Sequence, residues 1–539
     1  MSAPPRRFAR LLNQEAHRAL TEIRAPKQRR PYYVSYLVKD VDQHFIDARF
    51  GTLFADERRR SRRCFADIRV GSWRYDHVSE GGLDDNSSKA ESYSYVNLPI
   101  GDRPDGIRHG LWQLTEARYR EAAEHLLEKR ADALHYRDPN RGLPAFERLE
   151  PREERVLQPT PEIDRDKWAR YVEQASAVGR AVPHTHGCNV ELTIRNVTKT
   201  FASSEDRILV EQQPFWQLSA TLDYGHPSGV VIPWTVSHFV THPDELPPLR
   251  AFRAEIRTAL KRMAAIAEAP TLRAYSGPVL LDPVPAGLLM HEALGHRLEG
   301  NRLLSQGEGK TFRDAVDTQL LPDFLSLYDD PTRTHFEGRS LVGHYRYDDE
   351  GTEAARVDLV EDGRISGFLS SRIGLIKGHR SNGHARNESF ERPMSRMGVT
   401  VCEATDGRSE QELVRMLLEE VEHRGLPFGI HVRSAASGET ATKAYDFQAF
   451  LGQIRHAERV FPDGRREPLR DVNFVGTPLN IIRGIVAAGA RPVLDNSWCG
   501  AESGTVPVST ICPAVLVKDL ELQSSEQSRN APYSYPSPW

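Results

Sequence analysis

The segment GLLMHEALGHRLEG, beginning at Gly287, sets the tightest constraint on how this 539-residue chain can fold. It places two imidazoles, His291 and His296, and one carboxylate, Glu292, in a run whose apolar residues predict a helix from Val284 to Leu298. Two histidines with a carboxylate beside the first are what a hydrolytic metal site requires. The imidazoles take a divalent ion, and the non-ligand Glu takes a proton from the attacking water. In the ordinary arrangement the histidines stand at i and i+4 and share a helix face. Here the second stands at i+5, about 140° round an ideal helix from the first. Both reach one ion only if the helix widens or bends, and Gly295, immediately before His296, permits that. The spacing excludes the ordinary H-E-x-x-H helix and keeps metal chemistry open. A buried helix whose histidines hydrogen-bond locally is the alternative it leaves.

A catalytic site of this kind needs a third protein ligand and an open position. The chain has twenty histidines and five cysteines, Cys64, Cys188, Cys402, Cys499 and Cys512. Cys499, in DNSWCGAESG, is expected in a glycine-bracketed turn before the final strand, and a thiolate there would complete a two-histidine, one-cysteine set. Cys64, Cys402 and Cys512 lie in strand-like runs and read as small buried hydrophobes. Three rivals deserve weighing. His184, His186 and Cys188 alternate and would share one strand face, but no carboxylate base adjoins them, and Pro183 and Gly187 fit a turn equally well. Gly307 to Thr311 imitates the end of a P-loop, yet Leu304 stands where its first glycine belongs. His379 and His384 flank a glycine-containing loop, where substrate contact and plain solvent exposure are both open.

The charge balance narrows the function classes. Lys and Arg number 71 against 75 Asp and Glu, and a net charge of −4 argues against electrostatic capture of nucleic acid. No run approaches the roughly 18 apolar residues of a membrane helix. An odd number of scattered cysteines is no disulfide framework and suits a reducing compartment. Met1 to Leu20 reads as an amphipathic helix rather than an export signal, so the expected location is the cytoplasm.

Strand-like runs fill Tyr32 to Gly71, with an arginine-rich hairpin expected at 57–63. A helix follows between Leu114 and Tyr136, then an exposed connection over 137–162. Three further strand runs lie between Asn189 and Val240, and a helix from about Leu246 to Ala267 is stopped by Pro270. Beyond the histidine motif come a hairpin around Glu361 to Gly363, a helix capped by Ser409 and Glu412 and ended at Gly425, a helix from Pro478 to Ala488, and a strand from Pro513 to Leu522. Helices and strands mix without βαβ regularity. The fold class is therefore α+β: a mixed, β-rich, multi-domain chain with the metal-motif helix in its C-terminal domain. The expected units are an N-terminal α+β domain (1–110), a middle helix-plus-strand domain (111–270), a C-terminal domain with the histidine motif and Cys499 (271–522), and a disordered tail (523–539).

At the motif the residues resemble a known family. His291-Glu292-Ala-Leu-Gly295-His296-x-Leu-Glu299-Gly300 is similar to the signature of the TldD/PmbA metalloproteases, in their TldD branch. The stretch YDDEGTEAARVDLVEDGRISGFLSSR resembles the family's segment after its motif helix. NGHARNESFERPMSRM resembles its Gly-Arg…Pro-Met-x-Arg-Met segment, through Gly383, Arg386, Pro393, Arg396 and Met397. SWCG resembles the turn that carries the family's cysteine. The resemblance runs from about Tyr275 to Leu522. It implies His291, His296 and Cys499 as ligands of one divalent ion, zinc first and iron second, with Glu292 as general base. It also implies hydrolysis of unfolded or short peptides in an enclosed site, by a homodimer or a heterodimer with a related, motif-less subunit. Arg386 and Arg396 are expected to anchor substrate carboxylates or carbonyls. Neither a membrane nor a nucleic-acid partner is expected. Two competing readings are a non-catalytic regulatory or binding subunit, which would carry a degenerate motif, and a metal-dependent deformylase or amidase with the same ligands.

Overall fold

The computed structural model describes residues 6–26, 28–82, 95–135, 140, 142–272, 274–305, 312–313, 315–440, 450–476 and 478–524. Two long strands, Pro31–Arg49 and Thr52–Ser72, run antiparallel and turn at Phe50 and Gly51, where both residues take positive φ (45° and 79°). That two-residue turn is the hairpin, so the arginine run at 58–63 lies inside a strand rather than in a loop. The strand tolerates it because the opposite strand supplies aspartates: Arg62 meets Asp40 at 2.8 Å, and Arg58 meets Asp42 at 2.7 Å.

Pro31–Arg49 also pairs with Thr185–Ser203, which pairs with Arg207–Gly225, and Val231–Val240 follows. Strands from both sides of the expected boundary at 110/111 thus share one eight-stranded sheet. Arg152–Leu157 is a strand too, although 137–162 is expected as connection. It pairs in parallel with Arg207–Gly225 alone, and an edge position imposes little of the apolar alternation that announces a strand. Even-numbered residues of Thr185–Ser203, among them Val190, Leu192 and Ile194, pack under the helices Arg165–Ser176 and Leu249–Glu268. Odd-numbered residues point to the other face.

The C-terminal half closes on itself. Ala274–Leu281 pairs with Gly429–Thr440, which pairs with Phe450–Val460, then Val472–Val475, then Val515–Ser524, and the last strand returns to the first. Five strands therefore form a small barrel filled by Val279, Ile430, Val432, Phe474 and Val517. Helix Glu410–His423 covers it outside through Leu413 and Leu417, which meet Leu280 and Leu516. The expected capping box is present, and Gly425 turns the chain at φ 62°. The helix expected over Pro478 to Ala488 stops at Arg483. Ile485–Gly489 is a strand on the barrel's Val515–Ser524, where β-branched Ile485 packs better than in a helix. A separate six-stranded sheet runs Arg364–Ile365, Val357–Glu361, Leu325–Asp329, Val399–Ala404, Gly504–Cys512, Val493–Ala501. The architecture is mixed, β-rich and of several sheets, as the pattern implies. No helix among the described residues is long and apolar enough to cross a membrane. The P-loop-like Gly307 to Thr311 and the tail from 525 lie outside the described residues.

Candidate metal centre

The motif helix starts at Pro283, with prolines at 283 and 285 in its first turn, and runs regularly to Met290. From His291 to Gly295 it widens into a π turn, in which the amide of His296 donates to the carbonyl of His291, and it then tightens over His296–Leu298. The i+5 spacing demanded this widening. It brings the two imidazoles within 5.0 Å of one another, centre to centre and nearly perpendicular. Gly295 allows a tight approach here: a Cβ on it would lie 2.1 Å from Sδ of the buried Met397.

Cys499 arrives from the six-stranded sheet. It lies within the strand Val493–Ala501, not in the turn expected, and pairs with Val506. The strand alternation turns the Cys499 thiol inward and its neighbour Trp498 the other way. Sγ stands 3.1 Å from Nε2 of His291 and 3.4 Å from Nε2 of His296. These three atoms lie within 4.8 Å of one another, and they form the one such histidine, cysteine or carboxylate group among the described residues. All three residues are buried, as is Glu292.

The electrostatics suit a cation. Burial would raise the Cys499 thiol, but His296 and His291 pull it well below the usual thiol range. Burial would lower both imidazoles; Cys499 raises His291, while Glu299 and then Cys499 raise His296 well above the ordinary range. Nδ1 of His296 meets Oε1 of Glu299 at 3.0 Å, which aims Nε2 at the thiol. Burial would raise Glu299, but His296 and Arg302 hold it at about 2. Arg302 in turn forks onto Glu502 at 2.9 and 2.6 Å. Two imidazole nitrogens and an easily ionised thiol, with an outer carboxylate fixing one ring, match the donor chemistry of a two-histidine, one-cysteine zinc or iron site.

The two arginines divide. Arg386 lines a cavity on the Trp498 side of the strand that carries Cys499, donates to the carbonyls of Met397 and Pro507, and stacks on Tyr345. Arg396 is 0% exposed and does not line that cavity. It donates to the Cys499 carbonyl (2.7 Å), the Cys499 thiol (3.2 Å), Ser503 Oγ and the Gly504 carbonyl, so it fixes the strand end that carries the thiol. The structure thus sets Arg396, expected as a substrate anchor, against the protein, with its two terminal nitrogens on four protein acceptors. The rivals do not converge. His186 lies against Gly225, Cys188 is buried against Gly179, and His184 takes φ 64° in a turn. His379 meets the Ser371 carbonyl at 2.8 Å, and His384 is buried on Asp329. Glu299 escaped the residue-by-residue reading, although its place three residues after His296 on a helical turn was a usable signal. Glu502, Trp498 and the true part of Arg396 carried none.

Residues 274–524 match the family model described as the PmbA/TldA metallopeptidase C-terminal domain. A metalloprotease of Archaeoglobus fulgidus is 32% identical over 244 residues, covering 44% of this chain and 51% of that protein. A protein of Saccharolobus solfataricus named zinc metalloprotease TldD homolog is 28% identical over 264 residues, covering 49% and 55%. The chain thus spans about half the length of the curated relatives it matches. Two solved structures share the fold at 13% identity. TldE from Thermococcus kodakarensis superposes with a TM-score of 0.59 over 92% of this chain and 97% of that one. A Bacteroides thetaiotaomicron protein described as a candidate modulator of DNA gyrase does so at 0.61 over 97% and 100%. The fold likeness therefore extends through the first half, where the sequence likeness does not.

Proposed function

We propose that the chain, whose residues 274–524 match the PmbA/TldA metallopeptidase C-terminal domain, is a metal-dependent peptidase of the TldD/PmbA family acting on unfolded or short peptides in an enclosed site. The observation that carries this is the widened helical turn bringing His291 and His296 onto Cys499, with Glu292 next in sequence to the first histidine. In this reading the three residues hold one divalent ion, zinc before iron. Such an ion, when bound, lowers the pKa of water and polarises a peptide carbonyl. Glu292 accepts the proton of the attacking water and delivers it to the leaving amine. Glu299 holds the His296 ring, and Arg396 holds the Cys499 strand, so neither ligand must be reorganised during turnover. Arg386 reaches the cavity from its far wall and is the remaining arginine candidate for contact with the peptide.

A soluble homodimer, or a heterodimer with a motif-less relative, belongs to the same reading and is supported by the TldE likeness. So does a reducing, cytoplasmic setting, which the five free cysteines suit. The non-catalytic alternative finds less support, because the donor set is complete. Glu292→Gln tests the central step. It should cut peptide hydrolysis by about 10² or more while metal content is unchanged. Full activity with metal still bound would refute the assignment of the base. Release of formate from formyl-methionyl peptides, without cleavage of internal bonds, would favour the deformylase instead.

A further inference from the structure

The odd-numbered face of the first sheet, which the N-terminal core does not use, is the floor of a cavity of about 580 Å³. The ladder register lays it out in rows: Arg63, Lys39 and Lys199; then Ser61, Val41 and Val197; then Gln43 and Arg195. The C-terminal half supplies the opposite wall, including Arg386 and Trp498. Trp498 precedes Cys499 in the chain, and Val506, the ladder partner of Cys499, also faces the cavity. The Trp498 and Cys499 side chains leave opposite faces of Val493–Ala501, the edge strand of its sheet, so whatever binds here lies across that edge strand from the proposed metal centre.

The cavity is short of negative charge. Lys39 and Lys199 are both neutralised by Asp349 (3.0 and 3.2 Å), and Lys199 also by Glu211 (3.3 Å). Arg63, Arg195 and Arg386 line the same space, and the described residues offer none of them an ion pair. Asp348 is engaged by the amides of Glu350, Thr352 and Ala385, and burial with Glu350 pushes it up to about 8. That leaves Glu388, which acts on Arg195 through space without a direct ion pair and accepts the Thr505 amide at 3.1 Å. Three guanidiniums against one carboxylate is an anion's environment.

Arg195 is the best placed of the three. Its Nε donates to Gln43 Oε1 at 3.0 Å, and its guanidinium lies 5.1 Å from the centre of the Trp498 ring. Trp498 is itself fixed, by its indole N–H on Gln217 Oε1 at 3.0 Å. The guanidinium is thus held at one nitrogen and one face, while its two terminal nitrogens make no hydrogen bond among the described residues and present a fork to the cavity. Resting on the peptidase reading above, we propose that Arg195, braced on Trp498, is a specificity-determining residue that selects peptides carrying a carboxylate. That group is either an acidic side chain or the free C-terminus, and it docks in the cavity while the chain beyond it passes the edge strand Val493–Ala501 towards the metal centre. Arg195 and Arg63 come from the half of the chain outside the matched residues 274–524, so this preference would be a property of this chain rather than of its C-terminal domain.

The test uses the full-length chain carrying Glu292→Gln and measures binding by calorimetry, so it does not depend on turnover. Three acetylated alanine pentapeptides serve as probes. One has aspartate at its centre and an amidated end, one is all alanine with a free C-terminal carboxylate, and one has asparagine at its centre and an amidated end. At least one carboxylate peptide should bind about tenfold more tightly than the neutral one, a difference of about 1.4 kcal/mol, and which one does so identifies the source of the carboxylate. Arg195→Gln should erase that preference while leaving the neutral peptide's affinity intact, and Arg195→Lys should restore part of it. If Arg195→Gln does not accumulate as folded protein, Gln43→Leu, which removes the acceptor that fixes Arg195 Nε, should reduce the same preference about threefold. Equal affinity for all three peptides, or a preference that survives both changes, overturns the proposal. Absence of peptide hydrolysis by the metal-loaded wild-type chain would instead refute the peptidase reading and leave the binding result to stand by itself.

Discussion

Replacing Arg396 by methionine separates a residue that holds the metal centre from one that holds substrate. The wild-type guanidinium is fully buried and spans the Cys499 carbonyl, the Cys499 thiol, Ser503 Oγ and the Gly504 carbonyl, with Nε 3.6 Å from Glu299. Methionine fills much of the same volume, so the cavity contribution is small. What it removes is the set of donors, leaving two buried carbonyls unserved and one fewer cation beside Glu299. Breaking a buried charged network of this kind costs about 3–5 kcal/mol. The thiol also loses a positive neighbour and its strand loses an anchor. Metal affinity should then fall about 10–100-fold, the usual effect of losing an outer-shell partner, equivalent to about 1.4–2.7 kcal/mol. Urea unfolding reads the first effect, and competition with a chromophoric chelator reads the second. Arg396→Lys keeps the charge but cannot fork across four acceptors, so it should fall between. Metal affinity and stability unchanged, with only KM raised, would refute this reasoning and return Arg396 to the substrate.

Asp349 carries a pH signature. Burial would raise it, but Lys39 and Lys199 hold it at about 2. A carboxylate held below its unfolded value stabilises fully above about pH 4, by about 2.5 kcal/mol for a shift of this size, and that contribution is lost as pH falls through about 2. Urea midpoints of wild type and Asp349→Asn should therefore differ at pH 7 and converge towards pH 2; a gap that widens in acid contradicts the ion-pair assignment. Gly295→Ala would force a Cβ to within 2.1 Å of Met397 Sδ and should destabilise by about 1–3 kcal/mol. Met397→Ala in the same chain should relieve part of that, so a double-mutant cycle showing no coupling would deny the close approach.

Legibility followed the range of the interactions. The i+5 spacing of His291 and His296 is local information, and it foretold the widened turn because no regular helix satisfies it. The cap at Ser409 and the stop at Gly425 are equally local and stand where expected. The arginines at 58–63 misled because the aspartates that neutralise them sit about twenty residues earlier, on a strand whose register the sequence does not print. Barrel closure depends on Ala274–Leu281 meeting Val515–Ser524, a pairing some 240 residues apart that no periodicity announces. Within the candidate site the residue types were readable and the divisions of labour were not. Arg386 and Arg396 look alike in one short segment; burial makes one a cavity wall and the other a brace for Cys499.

The most direct measurement is elemental analysis of the purified chain beside its His291→Ala and Cys499→Ala variants, with folding of each verified by circular dichroism. The account predicts close to one equivalent of zinc or iron per wild-type chain, and little in either variant, because His291, His296 and Cys499 form the one such cluster of ligand atoms among the described residues. Stoichiometric metal that survives both substitutions would contradict it.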